Sequence, residues 1–346
     1  MISISDRCAG HDNNFNLIRL LAAVGVLVSH AYPVTDGDYH REPVALLLNG
    51  MGLGGLGVML FFAVSGFFIA RSFESAPNPL SFLVARFLRI MPALVVMLLV
   101  CALVGSFIST AAPRDYWAAV PRYIYSNASL SMFWHSRALP GVFENNPYEP
   151  DTNASLWTLE FEVYFYLCVA AIGSLGILRN PRRFAASVAG MLLAYGGMVY
   201  SSDSNRFVQL SFPFIIGMCF WVWRDHVRLS WVYALGLVAL TALLLPTKLF
   251  LPMLTICVAY GAFVLGYARL PLLARFNRGA DWSYGTYIYA FPIQQAFASA
   301  GVLTVWGNIA LSLPVTLACA ALSWSLVEKP ALRLKRGFAA GPAAVA

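Results

Sequence analysis

Apolar residues recur in ten runs, at about 16–33, 44–70, 83–109, 155–178, 184–201, 207–223, 230–246, 250–267, 283–301 and 308–327, separated mostly by short polar stretches. Runs of that length leave few folds open. Backbone N–H and C=O groups in lipid must be paired inside the segment, which a helix achieves and an open strand does not. The chain is 59% hydrophobic and only 11% charged over 346 residues, far from the balance of a soluble domain. The expected fold is all-α: a polytopic membrane helix bundle of about ten transmembrane helices, forming a single membrane domain over 1–346.

Charge sets the expected orientation. With the N-terminus in the cytoplasm, 17 of the 23 Lys and Arg fall inside, and only Arg41, Arg114, Arg122, Arg137, Arg206 and Lys248 fall outside. That asymmetry favours both termini being cytoplasmic. Residues 1–15 and 329–346 are then cytoplasmic tails, and 110–154 is a long outward-facing loop rich in Tyr, Trp, Pro and Asn. A loop of that length beside a membrane site is more often functional than a mere connector. The opening MISISDRCAGHDNNFN has no small-residue cleavage site after a short apolar core, so the first span is expected to be retained. The net charge of +7 serves orientation; no polybasic tract or stacking platform points to nucleic acid. The six cysteines form no CxxC pair, and His11, His40, His135 and His226 have no partners at metal-ligand spacing, so no metal site is expected.

Within the first run, Arg19 and His30 flank the uncharged LLAAVGVLVS. Eleven helical steps make about three turns, so both side chains point the same way, roughly 16 Å apart along the axis. An ionisable group at membrane depth is costly to keep without a use. The alternatives are a snorkelling arginine anchor and a hydrogen-bonded core histidine. Arg86 and Arg89, three residues apart, share one helix face at the start of the third run, where they suit either a phosphate or lipid headgroups. Glu160 and Glu162 diverge by about 200° on a helix, so both cannot face one site.

Six motifs stand in order: Arg19 and His30 as R-x10-H, GLGGLGVMLFFAVSGFFIARSF (52–73), RFLR (86–89) followed by Pro92, SLWTLEFEVYFYL (155–167), SYGTYIYAFP (283–292) and VEKP (327–330). Together they resemble the acyltransferase-3 family of integral membrane acyltransferases, which includes bacterial polysaccharide, lipopolysaccharide and Nod-factor O-acetyltransferases. The resemblance runs from about residue 14 to 335. It implies transfer of an acyl group, with acetyl the family's usual one, from cytoplasmic acyl-CoA to a hydroxyl of a carbohydrate acceptor, in a bacterial inner membrane. Acetyl-CoA is then the donor, and the lipid bilayer and the carbohydrate are the partners.

On that resemblance His30 and Glu162 are the catalytic pair, Glu162 orienting His30 or an acceptor hydroxyl while Glu160 sits at the interfacial rim. A structural alternative pairs Glu162 with an arginine inside the bundle. Arg19, Arg86 and Arg89 are expected to hold the nucleotide end of the donor, and Tyr284 to bind substrate or join an interfacial aromatic belt. His30 acts either as a general base or as an acylated relay. The family often has a histidine where this chain has Ala290, so no second histidine is available there. A transporter with an Arg19, His30 and Glu162 proton or substrate relay is the competing class, although no inverted repeat is visible.

Three apparent motifs are set aside. Gly52, Gly54 and Gly57 spell GxGxxG but enter a membrane run instead of a βαβ unit. Ser65 lies in SGF, which lacks the form of a nucleophile elbow, and with Gly66 it suits close helix packing. Asn127 and Asn153 begin Asn-Ala-Ser sequons, which matter only in a eukaryotic secretory membrane.

Overall fold

Each apolar run holds a helix in the computed structural model, which describes residues 2–8, 13–131, 136–148, 150–201, 205–269, 277 and 279–339. In chain order the principal helices are α1 (Phe15–Asp36), α2 (Leu53–Ser75), α3 (Pro79–Ile108), α4 (Pro113–Ala128), α5 (Trp157–Ser174) and α6 (Pro181–Ser201). They continue as α7 (Arg206–Val222), α8 (Trp231–Leu243), α9 (Phe250–Gly266), α10 (Ser283–Ser299), α11 (Val305–Ser323) and α12 (Lys329–Ala339). Among the described residues, five segments are long and apolar enough to cross a membrane: 15–36, 53–75, 79–108, 154–174 and 305–334. Helices α7, α8 and α9 are apolar but shorter. Strand pairing among the described residues is confined to Ile2–Ser3 against Arg228–Leu229, antiparallel. The chain is an all-α membrane protein, as its composition requires.

The 110–154 connection contains α4, whose Tyr116 and Tyr123 are fully buried, and the Tyr116 hydroxyl donates to the Ala102 carbonyl at 2.6 Å. Of the residues used in the charge and metal arguments, Arg275, Arg278, His11 and His135 lie outside the described residues.

The chain divides into two compact units, residues 1–22, 55–83 and 164–280 in one, and 23–54, 84–163 and 281–346 in the other. The first is knitted by aromatic edges. Phe15 meets Phe68 at 5.0 Å and Phe263 at 5.4 Å, and Phe67 meets Phe263 at 4.8 Å and Trp221 at 5.5 Å, all edge-to-face, the arrangement ring quadrupoles favour. Two glycines let α2 and α7 touch backbone to backbone. A Cβ on Gly66 would lie 1.9 Å from the Phe214 carbonyl oxygen, and one on Gly217 would lie 1.9 Å from that of Ala63. This is the small-residue contact expected at Gly66, and it suits lipid, where helices associate by close packing more than by water exclusion.

In the second unit polar groups hold the helices. Pro292 inside α10 has no N–H, so the Ile288 carbonyl one turn earlier loses its usual donor. The Asn153 side-chain amide supplies a replacement at 2.7 Å. Gln294, on the same helix and fully buried, donates to the Leu27 carbonyl of α1 at 2.9 Å, and Asn308 of α11 donates to the Gln294 carbonyl at 3.0 Å. Asn153 and Asn127 are both buried with their amide nitrogens donating to backbone carbonyls, so neither sequon is open to modification in this fold.

The glycine contact makes a direct prediction. Gly66→Ala and Gly217→Ala must each separate α2 from α7 and should each cost about 1–3 kcal/mol. Gly236→Ala, where nothing lies within 4 Å of the added carbon, should be neutral or stabilising by up to about 1 kcal/mol. Thermal melting of the three variants in detergent measures the difference.

Candidate active site

Five of the six residues singled out from the sequence, His30, Arg86, Arg89, Glu162 and Tyr284, fall in the second unit, and Arg19 falls in the first. Arg19 and His30 share α1. Arg19 stands in the opening turns, where its guanidinium donates to Asn16 Oδ1 at 2.9 Å. That end of the helix is fixed by asparagines. Asn14 donates to the Leu265 and Ala268 carbonyls at 2.9 and 2.8 Å, and Asn16 donates to the Asn277 carbonyl at 2.9 Å.

His30 lies three residues before Pro33, which leaves the Ser29 carbonyl without its helical donor. Its Nδ1 is sealed from solvent and has no hydrogen-bonding partner among the described residues. Rings surround the imidazole instead. Phe291 of α10 stands 5.3 Å away and Tyr39, in the 3-10 turn Tyr39–Arg41 after α1, stands 6.4 Å away, both edge-on. Tyr148, from the long connection, completes the circuit at 6.1 Å from Tyr39 and 5.4 Å from Phe291. Ala290, in the slot where the family often has a histidine, packs with Leu27, Ala31 and Ile309.

Arg89 occupies a buried ion cluster. Its guanidinium pairs with Asp281 and, at 3.1 Å, with Glu328, which is 1% exposed. Ser283 donates to Asp281 through its hydroxyl at 2.6 Å, and Ser323 donates to Glu328 at 3.0 Å. The Tyr284 and Trp324 rings flank the guanidinium at 5.8 and 5.9 Å. The Tyr284 hydroxyl donates to the Ile90 carbonyl at 2.9 Å, so this side chain ties α10 to α3. Glu328 ends a π-helical turn, Trp324–Glu328, which interrupts the regular path of α11 into α12. Arg86 is half-buried one turn before Arg89.

Glu162 is half-buried, within coulombic reach of the buried Tyr287 hydroxyl. Tyr287 hydrogen-bonds to Thr158 at 2.6 Å and to the Ser155 carbonyl at 3.0 Å, joining α10 to the start of α5. Glu160, expected at the interfacial rim, is instead buried at 7% exposure. It lies in the first turn of α5, where the N–H ends favour a carboxylate, with the positive charge of Arg137 nearby.

Spacing gave no notice of Glu42. This carboxylate is 2% exposed and accepts from Ser29 Oγ at 2.5 Å and from the Leu53 N–H at 2.6 Å, bridging the His30 turn of α1 to the N-terminus of α2. A Cβ on Gly52 would lie 2.0 Å from Glu42 Oε2, and one on Gly54 would lie 3.0 Å from Ser29 Oγ. The glycines of the GxGxxG stretch therefore make room for this bridge. The only sequence signal was a lone acid preceding Pro43. No group of three or more His, Cys, Asp and Glu among the described residues could hold a metal ion.

A family model described as an acyltransferase domain matches residues 12–328. The chain is 28% identical over 345 residues to the "O-acetyl transferase" of Shigella phage Sf6, covering 92% of this chain and 95% of that protein. It is 29% identical over 376 residues to "Nodulation protein 10" of Rhizobium leguminosarum bv. viciae, covering 99% of each. No solved structure matches. The matched region contains every cluster described above, from Arg19 to Glu328, and the chain belongs to the acyltransferase-3 family.

Proposed function

We propose that this acyltransferase moves an acetyl group from cytoplasmic acetyl-CoA to a hydroxyl of a carbohydrate acceptor, in a bacterial inner membrane. The observation that carries the reading is His30, an imidazole at membrane depth with a sealed, unpartnered Nδ1 in a chain of this family. A buried polar atom left unpaired costs about 1–3 kcal/mol, which argues that this imidazole is kept for a use beyond packing. The name of the phage relative, an O-acetyl transferase, supports both the acetyl group and the oxygen acceptor. The 17-to-6 bias of basic residues supports the orientation.

His30 is the proposed general base. It takes the proton of the acceptor hydroxyl as that oxygen bonds to the acyl carbon, and returns it to sulfur as the carbon–sulfur bond breaks. The products are an ester and a free thiol, with the imidazole neutral again. Glu162 is proposed to meet the acceptor hydroxyl, since the sealed Nδ1 of His30 has no carboxylate against it. Arg19 and Arg86 are proposed to meet the donor's phosphates, for which a guanidinium fork is suited. Arg89 and Tyr284 contribute to substrate binding by position: the guanidinium is shared between Asp281 and Glu328, and the phenol is bonded to Ile90.

Thiol release from acetyl-CoA by the purified protein, in the presence of glycan acceptors, tests the reading. His30→Ala should lower turnover by about 10²- to 10⁴-fold at unchanged membrane abundance, and a rate equal to wild type would remove His30 from the chemistry. Arg86→Ala should raise the KM for acetyl-CoA. Arg89→Ala should instead destabilise the protein by about 3–5 kcal/mol, because two buried carboxylates lose their cation. Melting in detergent beside KM separates these roles, and an Arg89→Ala protein that melts like wild type would assign Arg89 to the donor.

A further inference from the structure

We infer that Tyr39 and Tyr148, with the imidazole between them and Phe291, form the subsite that holds the acceptor sugar; the inference rests on the carbohydrate reading above. The four rings make a closed circuit of edge-to-face contacts, His30 to Tyr39, Tyr39 to Tyr148, Tyr148 to Phe291 and Phe291 to His30. The four members differ in exposure. Phe291 is fully buried, His30 and Tyr148 are half-buried and Tyr39 is 42% exposed, so the circuit has a closed side and an open one.

The open side is built with care. The Asn146 side chain donates to both the backbone carbonyl and Oε1 of Gln295, at 2.9 and 2.8 Å, and Gln295 Nε2 donates to the Asp151 carbonyl at 3.3 Å. Gln295 is fully buried one turn beyond Phe291, so these bonds seat the end of the long connection beside His30. From the other direction α1 ends at Gly37, whose φ of +79° a larger residue resists, and the chain turns back to present Tyr39. The Tyr39 hydroxyl donates to that of Tyr148 at 3.3 Å.

This chemistry selects its ligand. A nucleotide phosphate needs an available cation, and the nearest guanidinium in this segment, Arg41, is paired with Asp36 at 2.7 Å. A lipid chain needs an aliphatic wall, and this one carries two phenolic hydroxyls. A sugar has both matching surfaces: C–H groups that lie against a ring and hydroxyls that reach the phenols. A hydroxyl on a sugar so held lies beside the imidazole that is to take its proton.

The test is acetyl-CoA-dependent thiol release in detergent, with a panel of methyl glycosides and short oligosaccharides. For an acceptor that stimulates wild type, Tyr39→Ala and Tyr148→Ala should each raise the acceptor KM about 3- to 10-fold, the scale of one aromatic contact, and leave the acetyl-CoA KM unchanged. Tyr148→Phe, which keeps the ring, should stay nearer wild type than Tyr148→Ala. Because Tyr39 is so exposed, its removal empties no core, and Tyr39→Ala decides the matter if Tyr148→Ala does not fold. An unchanged acceptor KM, a parallel rise in acetyl-CoA KM, or a fall in kcat alone would overturn the assignment while leaving the carbohydrate reading intact. If no glycan stimulates wild type, the carbohydrate reading fails and takes the subsite with it.

Discussion

Lipid offers no hydrogen-bond donor to a bare carbonyl, and much of the second unit is arranged around that constraint. Pro292 strips the Ile288 carbonyl of its helical partner, and Asn153 reaches it from a segment well over a hundred residues earlier in the chain. The exchange does more than repair a helix. It fixes the end of the long connection against α10, next to the turn that carries Phe291. Gln294 and Gln295 extend the same logic, one gripping α1 through Leu27 and the other gripping the connection through Asn146. The surroundings of His30 are therefore held by amides bonded to backbone, and these are worth keeping because each broken pair would leave a polar group stranded.

The ion cluster at Arg89 applies the constraint to charge. A lone buried guanidinium or carboxylate would be expensive, whereas Arg89 is shared between Asp281 and Glu328, which take further bonds from Ser283 and Ser323. Three of the six sequence motifs, RFLR, SYGTYIYAFP and VEKP, meet here or within one residue of here. Their order along the chain is explained by one piece of packing: α3, α10 and the end of α11 must close on the same group.

Fold class was legible in the sequence because the bilayer allows so few alternatives: ten apolar runs matched ten helices to within a few residues at most ends, with the start of α2 the main exception. The sequence signal that singles out Arg19, His30 and Arg89 is charge or an ionisable group at the start of, or inside, an apolar run. Partners were not legible, because pairing in a helix bundle depends on three-dimensional register. Arg89 pairs with residues 192 and 239 positions away, and Glu42 is buried by a turn whose polar sequence promised exposure. Glu160 and Glu162 diverge on α5, but no periodicity indicates which direction is inward, and it is Glu160 that is buried and Glu162 that is half-buried. Tyr39 and Tyr148 belonged to stretches that composition marks only as loop.

The two ends of α1 are chemically opposite, and the stretch between them explains why. LLAAVGVLVS carries no charge, so this stretch of α1 offers a charged group no polar foothold. At the far end the imidazole of His30 meets the rings of Phe291 and Tyr39 edge-on. On the proposed reading those surroundings suit a neutral hydroxyl acceptor better than a charged one, because rings and not cations edge the imidazole.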